Sequence, residues 1–234
     1  LVIDVASPVT SLAFFVDPAT GAPRLACGTG YPKNDARVFD PVAGGEALLV
    51  LDFGSHVYTL AFFTDLATGV PRLACGCMDL KVRVFDPVAG GEALIVIEVG
   101  SYVFALAVFT DPATGELRIA YGCQDGKVRI LDPVAGGEAL VVLEGHTNWV
   151  MALTIFEDPA TGGLRLASGS NDGSVRVWDL AAGDAALFVL GGHASYVIAL
   201  TAFADPATGE TRLASVSWDN TLRVWDASKG GAAL

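Results

Sequence analysis

Positive charge is scarce in this chain and never clustered. Fourteen lysines and arginines stand against 26 aspartates and glutamates, for a net charge of −12. That excludes the basic, phosphate-tracking surface that nucleic-acid binding requires. Long apolar runs are missing as well. A spanning helix needs about 20 apolar residues, and the best stretch, residues 93–109, is broken by Glu98, Gly100 and Ser101. No membrane partner is expected. No basic n-region precedes an apolar segment, so no signal peptide is read; the chain opens at Leu1 without a Met, as a processed or excised segment does. The four cysteines, Cys27, Cys75, Cys77 and Cys123, lack the paired C-x₂-C spacing of a metal site. Cys75 and Cys77 lie two apart on one strand and are too constrained to bridge each other. All four read as buried reduced thiols of a reducing compartment, cytoplasmic or nuclear.

What the chain has instead is one pattern written five times. The turn signal Asp-Pro-Ala-Thr-Gly begins at Asp17, Asp111, Asp158 and Asp205, and as Asp-Leu-Ala-Thr-Gly at Asp65, at intervals of 48, 46, 47 and 47 residues. From Asp205 to the C-terminus and on from Leu1 to Asp17 is a further 46. Five periods therefore fit without remainder, at approximately 1–48, 49–94, 95–140, 141–187 and 188–234. A period of this length marks a repeat architecture. At 52% apolar and 17% charged, the 234 residues can bury a substantial core as a single all-β domain.

The fourth period shows the anatomy best. Residues 140–144 are a β-branched run ended by Gly145, and residues 150–156 a second run closed by Asp158-Pro159-Ala160-Thr161-Gly162. Proline sets φ there and glycine permits φ > 0, as a hairpin needs. Residues 164–170 form a third run, and Asn171-Asp172-Gly173 turns the chain into a fourth at residues 174–179. Four short antiparallel strands per period, with no 3.6-residue periodicity, predict a propeller blade.

Gly145-His146, Asp172-Gly173 and Val175-Arg176-Val177-Trp178-Asp179 resemble the signature of the WD-repeat family. Gly192-His193, Asp219-Asn220 and Leu222-Arg223-Val224-Trp225-Asp226 repeat it. The likeness spans the whole chain by period and turns; it is specific in repeats four and five and weaker in the first three. It implies an all-β propeller of WD-repeat type, with five four-stranded antiparallel blades. It also implies a buried network of His146, Ser168, Asp172 and Trp178, and a second of His193, Ser215, Asp219 and Trp225. The chemistry is consistent, since Trp donates, Ser relays, His does both and Asp accepts. Such a network is worthwhile only when complete. Repeats one to three hold Phe39, Phe85 and Leu131 at the Trp position and Cys27, Cys75 and Tyr121 at the Ser position, and they lack Gly-His. The network is thus dropped as a unit, which strands no polar group. Asp79 and Asp125 remain, placed to cap their own turns.

A His, a Ser and an Asp in one repeat are the residue types of a nucleophilic triad. A triad, however, is a single constellation with an oxyanion hole, whereas this set recurs at repeat spacing and reads as a staple within the blade. The strands expected to line the channel, residues 9–15, 57–63, 103–109, 150–156 and 197–203, contain no Asp, Glu, His, Lys or Arg. Without ionisable groups there is no general acid–base pair and no metal cage. No catalytic residue, metal or cofactor is expected. The five hairpin aspartates, and Asp40, Asp86, Asp132, Asp179 and Asp226, read as turn-initiating residues rather than as the multi-ligand cage calcium requires.

The two faces are expected to differ. One carries the hairpins and the Asp-Pro-Val-Ala-Gly-Gly-Glu connections, repetitive and acidic. On the other the repeats diverge. Before the inner strand they place Pro8, His56, Tyr102, Trp149 and Tyr196; before the turn aspartate stand Met78, Gln124, Asn171 and Trp218. The first repeat adds two residues within Tyr31-Pro32-Lys33-Asn34. His56 aligns with Trp149 rather than with His146 and reads as a surface residue. Aromatic, Met and amide side chains at a channel mouth have the composition of an interface core. In the WD-repeat family this face is the usual platform for peptides and partner domains. The resemblance therefore implies a non-catalytic scaffold that binds a protein or peptide through His56, Met78, Tyr102, Gln124, Trp149, Asn171, Tyr196 and Trp218, with Tyr31 and Lys33 beside them.

Two alternatives belong to other classes. One is the sensing array of a larger signalling protein. The other is a propeller lectin or enzyme, which would need five like polar pockets or a channel carboxylate pair; divergent loops and apolar inner strands offer neither. Residues 1–5 also stand in the register of the outer strand that should follow Leu234. Pairing them with residues 222–226 would close five blades into a ring and cover the exposed edges. The alternative is an arc of a larger propeller, because the WD-repeat family most often closes with seven blades.

Overall fold

The turn signals divide the chain as read. The structure is a computed structural model that describes residues 1–158, 160–181 and 185–234; Pro159 of the fourth hairpin and residues 182–184 of the fourth period lie outside the described residues. The first sheet is β1 (Val9–Val16), β2 (Pro23–Thr29), β3 (Asp35–Phe39) and β4 (Leu49–Asp52). The second is β5 (Val57–Thr64), β6 (Pro71–Cys77), β7 (Lys81–Phe85) and β8 (Ile95–Glu98). The third is β9 (Val103–Thr110), β10 (Leu117–Cys123), β11 (Val128–Leu131) and β12 (Val141–Leu143), and the fourth β13 (Val150–Glu157), β14 (Leu164–Ser170), β15 (Val175–Asp179) and β16 (Ala186–Leu190). The fifth has three strands among the described residues, β17 (Val197–Ala204), β18 (Thr211–Ser217) and β19 (Leu222–Asp226). Neighbours pair antiparallel, and each complete blade takes its outermost strand from the following period.

The hairpins form for local reasons. Asp17 accepts the Ala19 N–H at 3.0 Å, and Gly21, at φ +69°, returns its N–H to the Asp17 carbonyl at 2.7 Å. Asp65, Asp111, Asp158 and Asp205 repeat the cap. Arg24 then sits between Asp17 and Asp40 at 3.7 and 3.6 Å, tying the hairpin to the end of β3.

The core lies between blades, because inner strands stack on one another. At each seam the valine heading an inner strand presses on a glycine of the preceding blade. A Cβ placed on Gly28, Gly76, Gly122 or Gly169 would come within 2.6–2.8 Å of Val57, Val103, Val150 or Val197. All four valines are 0% exposed. Phe15 crosses the first seam to meet Phe62, with ring centroids 4.3 Å apart. Dense packing of this kind leaves no room for an added methyl group.

Of the two alternatives, a closed ring and an arc, the structure does not form the pairing that would close the ring. Residues 1–5 form no strand and do not pair with β19. They lie on the first blade instead, where Ile3 and Val5 pack with Cys27 and Phe39 and the Val5 carbonyl accepts from Arg37 at 3.3 Å. Leu1 covers Gly44 as Leu49 covers Gly90. The segment thus holds an outer strand's position against the next blade but has no ladder partner. Among the described residues no strand pairs with the outer edge of β19; the Leu234 N–H reaches the Val224 carbonyl at 2.9 Å, as Leu48 reaches Val38 where β4 begins. Among the described residues β17 and β1 do not stack as the other inner strands do, so residues 1–5 are not brought alongside β19.

Candidate functional site

The divergent positions come together at one end of the blades, and a backbone hydrogen bond explains why. In each blade the residue after the second strand donates to the residue before the inner strand. Met78 bonds to His56, Gln124 to Tyr102, Asn171 to Trp149 and Trp218 to Tyr196, all at 2.9–3.0 Å. The two variable positions of a blade are therefore side by side. Tyr196 and Trp218 touch directly, with ring centroids 5.3 Å apart. Trp218 is 63% exposed, and Met78, Trp149 and Tyr196 are also exposed. Tyr31 and Lys33 stand out into solvent on the enlarged loop of the first blade.

His56 departs from its reading as a plain surface residue. It is half-buried, its ring lying against Gly30 of the preceding blade and stacking on Tyr58 at 4.5 Å. Burial holds its imidazole pKa below the ordinary value.

Sequence reasoning missed two aromatics that support the rim from beneath, Tyr58 half-buried and Phe104 buried. The inner strands bulge after their first residue, where the register skips Tyr58, Phe104, Met151 and Ile198. A bulge re-aims its side chain, and here it inserts Tyr58 and Phe104 between the predicted aromatics. The result is a ladder across three blades: His56 on Tyr58, Tyr58 on Phe104 at 4.7 Å, and Phe104 stacked on Trp149 at 5.1 Å. Tyr102 meets Phe104 edge-on at 6.4 Å. Offset and edge contacts of this type favour rigid placement of the rings. The detectable signal was an aromatic second residue in two inner strands where the others carry Thr10, Met151 and Ile198.

Beneath the rim, both polar networks are complete. Trp178 Nε1 donates to Ser168 Oγ at 2.8 Å, His146 Nε2 lies 2.8 Å from the same oxygen, and His146 Nδ1 lies 2.9 Å from Asp172. Trp225, Ser215, His193 and Asp219 repeat these distances. One arrangement of protons satisfies every atom: Nδ1–H donates to the carboxylate, and the serine O–H donates to Nε2. Ser168 and Ser215 are fully buried, with the tryptophan N–H already on their oxygens. Neither is accessible as a nucleophile, despite distances that resemble a triad.

Burial pushes the Asp172 carboxyl up, but hydrogen bonds from His146 and Ser174 and the nearby imidazole outweigh it and hold it well below the ordinary range. For Asp219 the Thr221 hydroxyl is the largest of the causes lowering it. A carboxyl depressed in the folded state stabilises the fold above its unfolded value, about 3.8, and loses that contribution as pH falls below it. Thermal unfolding is therefore expected to hold steady from neutral pH down to about 5 and to drop below about 4. Asp172→Asn should melt lower at neutral pH yet show a shallower acid decline. Melts followed by circular dichroism would show this, and an unchanged acid slope would remove Asp172 from the account.

The first three blades replace the lost networks with an arginine fork. Arg37 grips Asp35 through two nitrogens at 2.9 and 2.8 Å, Arg129 grips Asp125 at 3.2 and 2.6 Å, and Arg83 grips Asp79. The Arg83 and Arg129 pairs are bidentate, which is strong and directional, whereas both Arg37 nitrogens donate to one oxygen of Asp35. Asp125 also caps its turn through the Lys127 N–H, as expected, whereas Asp79 gives both oxygens to Arg83.

Among the described residues, no three His, Cys, Asp or Glu side chains come together as a metal would need. The four cysteines are free and buried, and burial pushes Cys77 and Cys123 up to about 12, which keeps them protonated. A groove of about 340 Å³ opens elsewhere, on the hairpin face between the third and fourth blades, lined by Phe109, Arg118, Leu140 and Leu164. No rim residue borders it.

The protein-family model described as WD domain, G-beta repeat matches residues 137–179 and 185–226. No curated protein matches the chain.

Proposed function

This is a WD-repeat chain, and we propose that it is a non-catalytic scaffold that binds a protein or peptide on its divergent rim. WD40 repeats generally mediate protein–protein interaction. The observation that carries the finer reading is the ladder from His56 through Tyr58 and Phe104 to Trp149, with the Tyr196–Trp218 pair beyond it. Exposed aromatic rings held rigidly from below are the anchors that dominate protein interfaces; here Trp149, Tyr196 and Trp218 are exposed, and buried Phe104 supports Trp149 from beneath. Support against catalysis comes from the buried serines, the protonated thiols and the apolar inner strands. The acidic balance favours a partner that is neither nucleic acid nor anionic membrane. The same rim serves a chain that acts alone or as the repeat array of a larger signalling protein.

Trp149→Ala combined with Trp218→Ala is expected to weaken capture of the partner at least tenfold while leaving the melting temperature within a few degrees, since each truncated anchor costs about 2 kcal/mol of binding. Affinity capture followed by mass spectrometry, run beside a Leu140→Ala control on the hairpin face, makes the comparison. Equal capture by the folded double variant and the parent would sink the assignment.

A further inference from the structure

Three seams carry a groove at the same place on the hairpin face. Between the first two blades it holds about 210 Å³, with Pro87 and Val88 on one wall. Between the second and third it holds about 250 Å³, with Pro133 and Val134 on that wall. Between the third and fourth it reaches about 340 Å³. Two residues lining this last groove are small. Ala181 stands where the earlier connections place Val88 and Val134, and Gly163 stands where the second and third hairpins place Val70 and Glu116. Charge differs at the same seam. Arg24, Arg72, Arg165 and Arg212 lie 3.2–3.9 Å from the aspartate that heads their own hairpin. Arg118 makes no such pair, because Glu116 and Asp132 take its guanidinium. Asp111, half-buried in the groove wall, accepts the Ala113 N–H at 2.9 Å and pairs with no cation among the described residues. The third groove therefore lacks both the larger apolar wall and the ion pair that the first two have.

We propose that this groove binds a peptide segment that sets an aliphatic side chain beside an arginine or lysine. The chemistry of the occupant follows from what the other seams already hold. The aliphatic side chain takes the place of the Val88 and Val134 side chains, which belong to chain segments at the first two seams. The cation gives Asp111 the partner that Asp17 and Asp65 receive from Arg24 and Arg72. An acidic segment would meet Asp111 and the Glu116 and Asp132 carboxylates across a single guanidinium, and like charges set against each other reject a partner. An apolar cleft with a few polar groups that fix orientation is the usual make-up of a binding site. The rim has no part in it.

The probe is a set of capped peptides in which a leucine and an arginine are adjacent or separated by one or two glycines, each with a twin carrying glutamate for arginine. Titrated into the isotope-labelled chain and followed by NMR, at least one arginine peptide is expected to shift the amides of Ala113, Gly163 and Leu164, with a dissociation constant of about 1 mM or tighter. Its glutamate twin should bind about tenfold more weakly, and Asp111→Asn should shrink that gap to about twofold. Asparagine can still cap the hairpin. Ala181→Val with Gly163→Val should abolish the shifts by narrowing the groove. Other blades carry valine at both positions with the same backbone bonds: Val88 donates to Asp86 as Ala181 does to Asp179, and Val70 to Thr68 as Gly163 does to Thr161. Should that variant fail to fold, Asp111→Asn decides alone, since an unchanged gap removes the carboxylate from the site. Trp149→Ala with Trp218→Ala should bind the peptides as the parent does, while Leu140→Ala, in the groove wall, should weaken them; a rim-bound partner is expected to show the reverse order. The proposal is overturned if no arginine peptide shifts the groove amides, if the shifts fall at the rim instead, or if the twins bind alike. It is equally overturned if arginine amide alone binds as well as the peptides, because the apolar groove would then contribute nothing.

Discussion

Gly76→Val should destabilise the protein by about 3 kcal/mol, the upper end of what an overpacked core costs. A Cβ at Gly76 meets Val103 Cγ1 at 2.6 Å, Thr59 Cγ2 at 2.7 Å and Val103 Cβ at 3.0 Å. Val103 is fully buried and Thr59 nearly so, and a β-branched side chain has few rotamers through which to yield. Strain in the backbone adds nothing, because Gly76 does not have a positive φ. Val216 is the internal control: the same side chain stands in the same register on β18, against which no inner strand packs among the described residues. The cost therefore belongs to the seam alone. For a chain of this size it should lower the melting temperature by roughly 6–12 °C. Because stacked repeats hold one another through their interfaces, exchange protection should fall first in β6 and β9. A melting point within a degree of the parent would mean that the seam is looser than the Gly76–Val103 contact shows.

The seams are also where sequence reasoning ran out. Strands and hairpins were legible because their signals are local: an aspartate that caps, a proline that sets φ, a glycine that permits the turn. The polar networks were legible because four residue types recur together at one spacing. What a blade meets across a seam is not local. Val216 reads as one more β-branched residue in a strand until its counterparts are seen to be glycines pressed by the next valine. Residues 1–5 fit the register of an outer strand, but register alone does not bring a partner edge within reach. Tyr58 and Phe104 were hidden by the bulge, since strict alternation assigns them a face that one skipped residue changes. The arginine forks were missed because Arg37, Arg83 and Arg129 sit at the position of Arg176 and Arg223, which make no such pair with a turn aspartate; context alone changes the role.

Ser168→Ala should cost more than the loss of one oxygen suggests, roughly 2–5 kcal/mol. The hydroxyl accepts from Trp178 Nε1 and bonds to His146 Nε2, both at 2.8 Å, in a site closed to solvent. Removing it strands two buried polar atoms at about 1–3 kcal/mol each. The pattern in the double variant is the sharper test. Trp178→Phe on its own removes the indole donor, and Ser168 can still bond to His146. In Ser168→Ala with Trp178→Phe only the histidine nitrogen remains stranded. The two costs should therefore fall short of additivity by about 1–2 kcal/mol. The second blade already holds this solution, with Cys75 and Phe85 at the two positions and no histidine at the Gly-His position. Its converse follows: Cys75→Ser should destabilise, because a buried hydroxyl would arrive with neither Trp nor His to meet it. Urea titrations of the three fourth-blade variants decide the matter. Strict additivity would show that serine, histidine and tryptophan are separate packing residues, and the staple would then be a coincidence of distances.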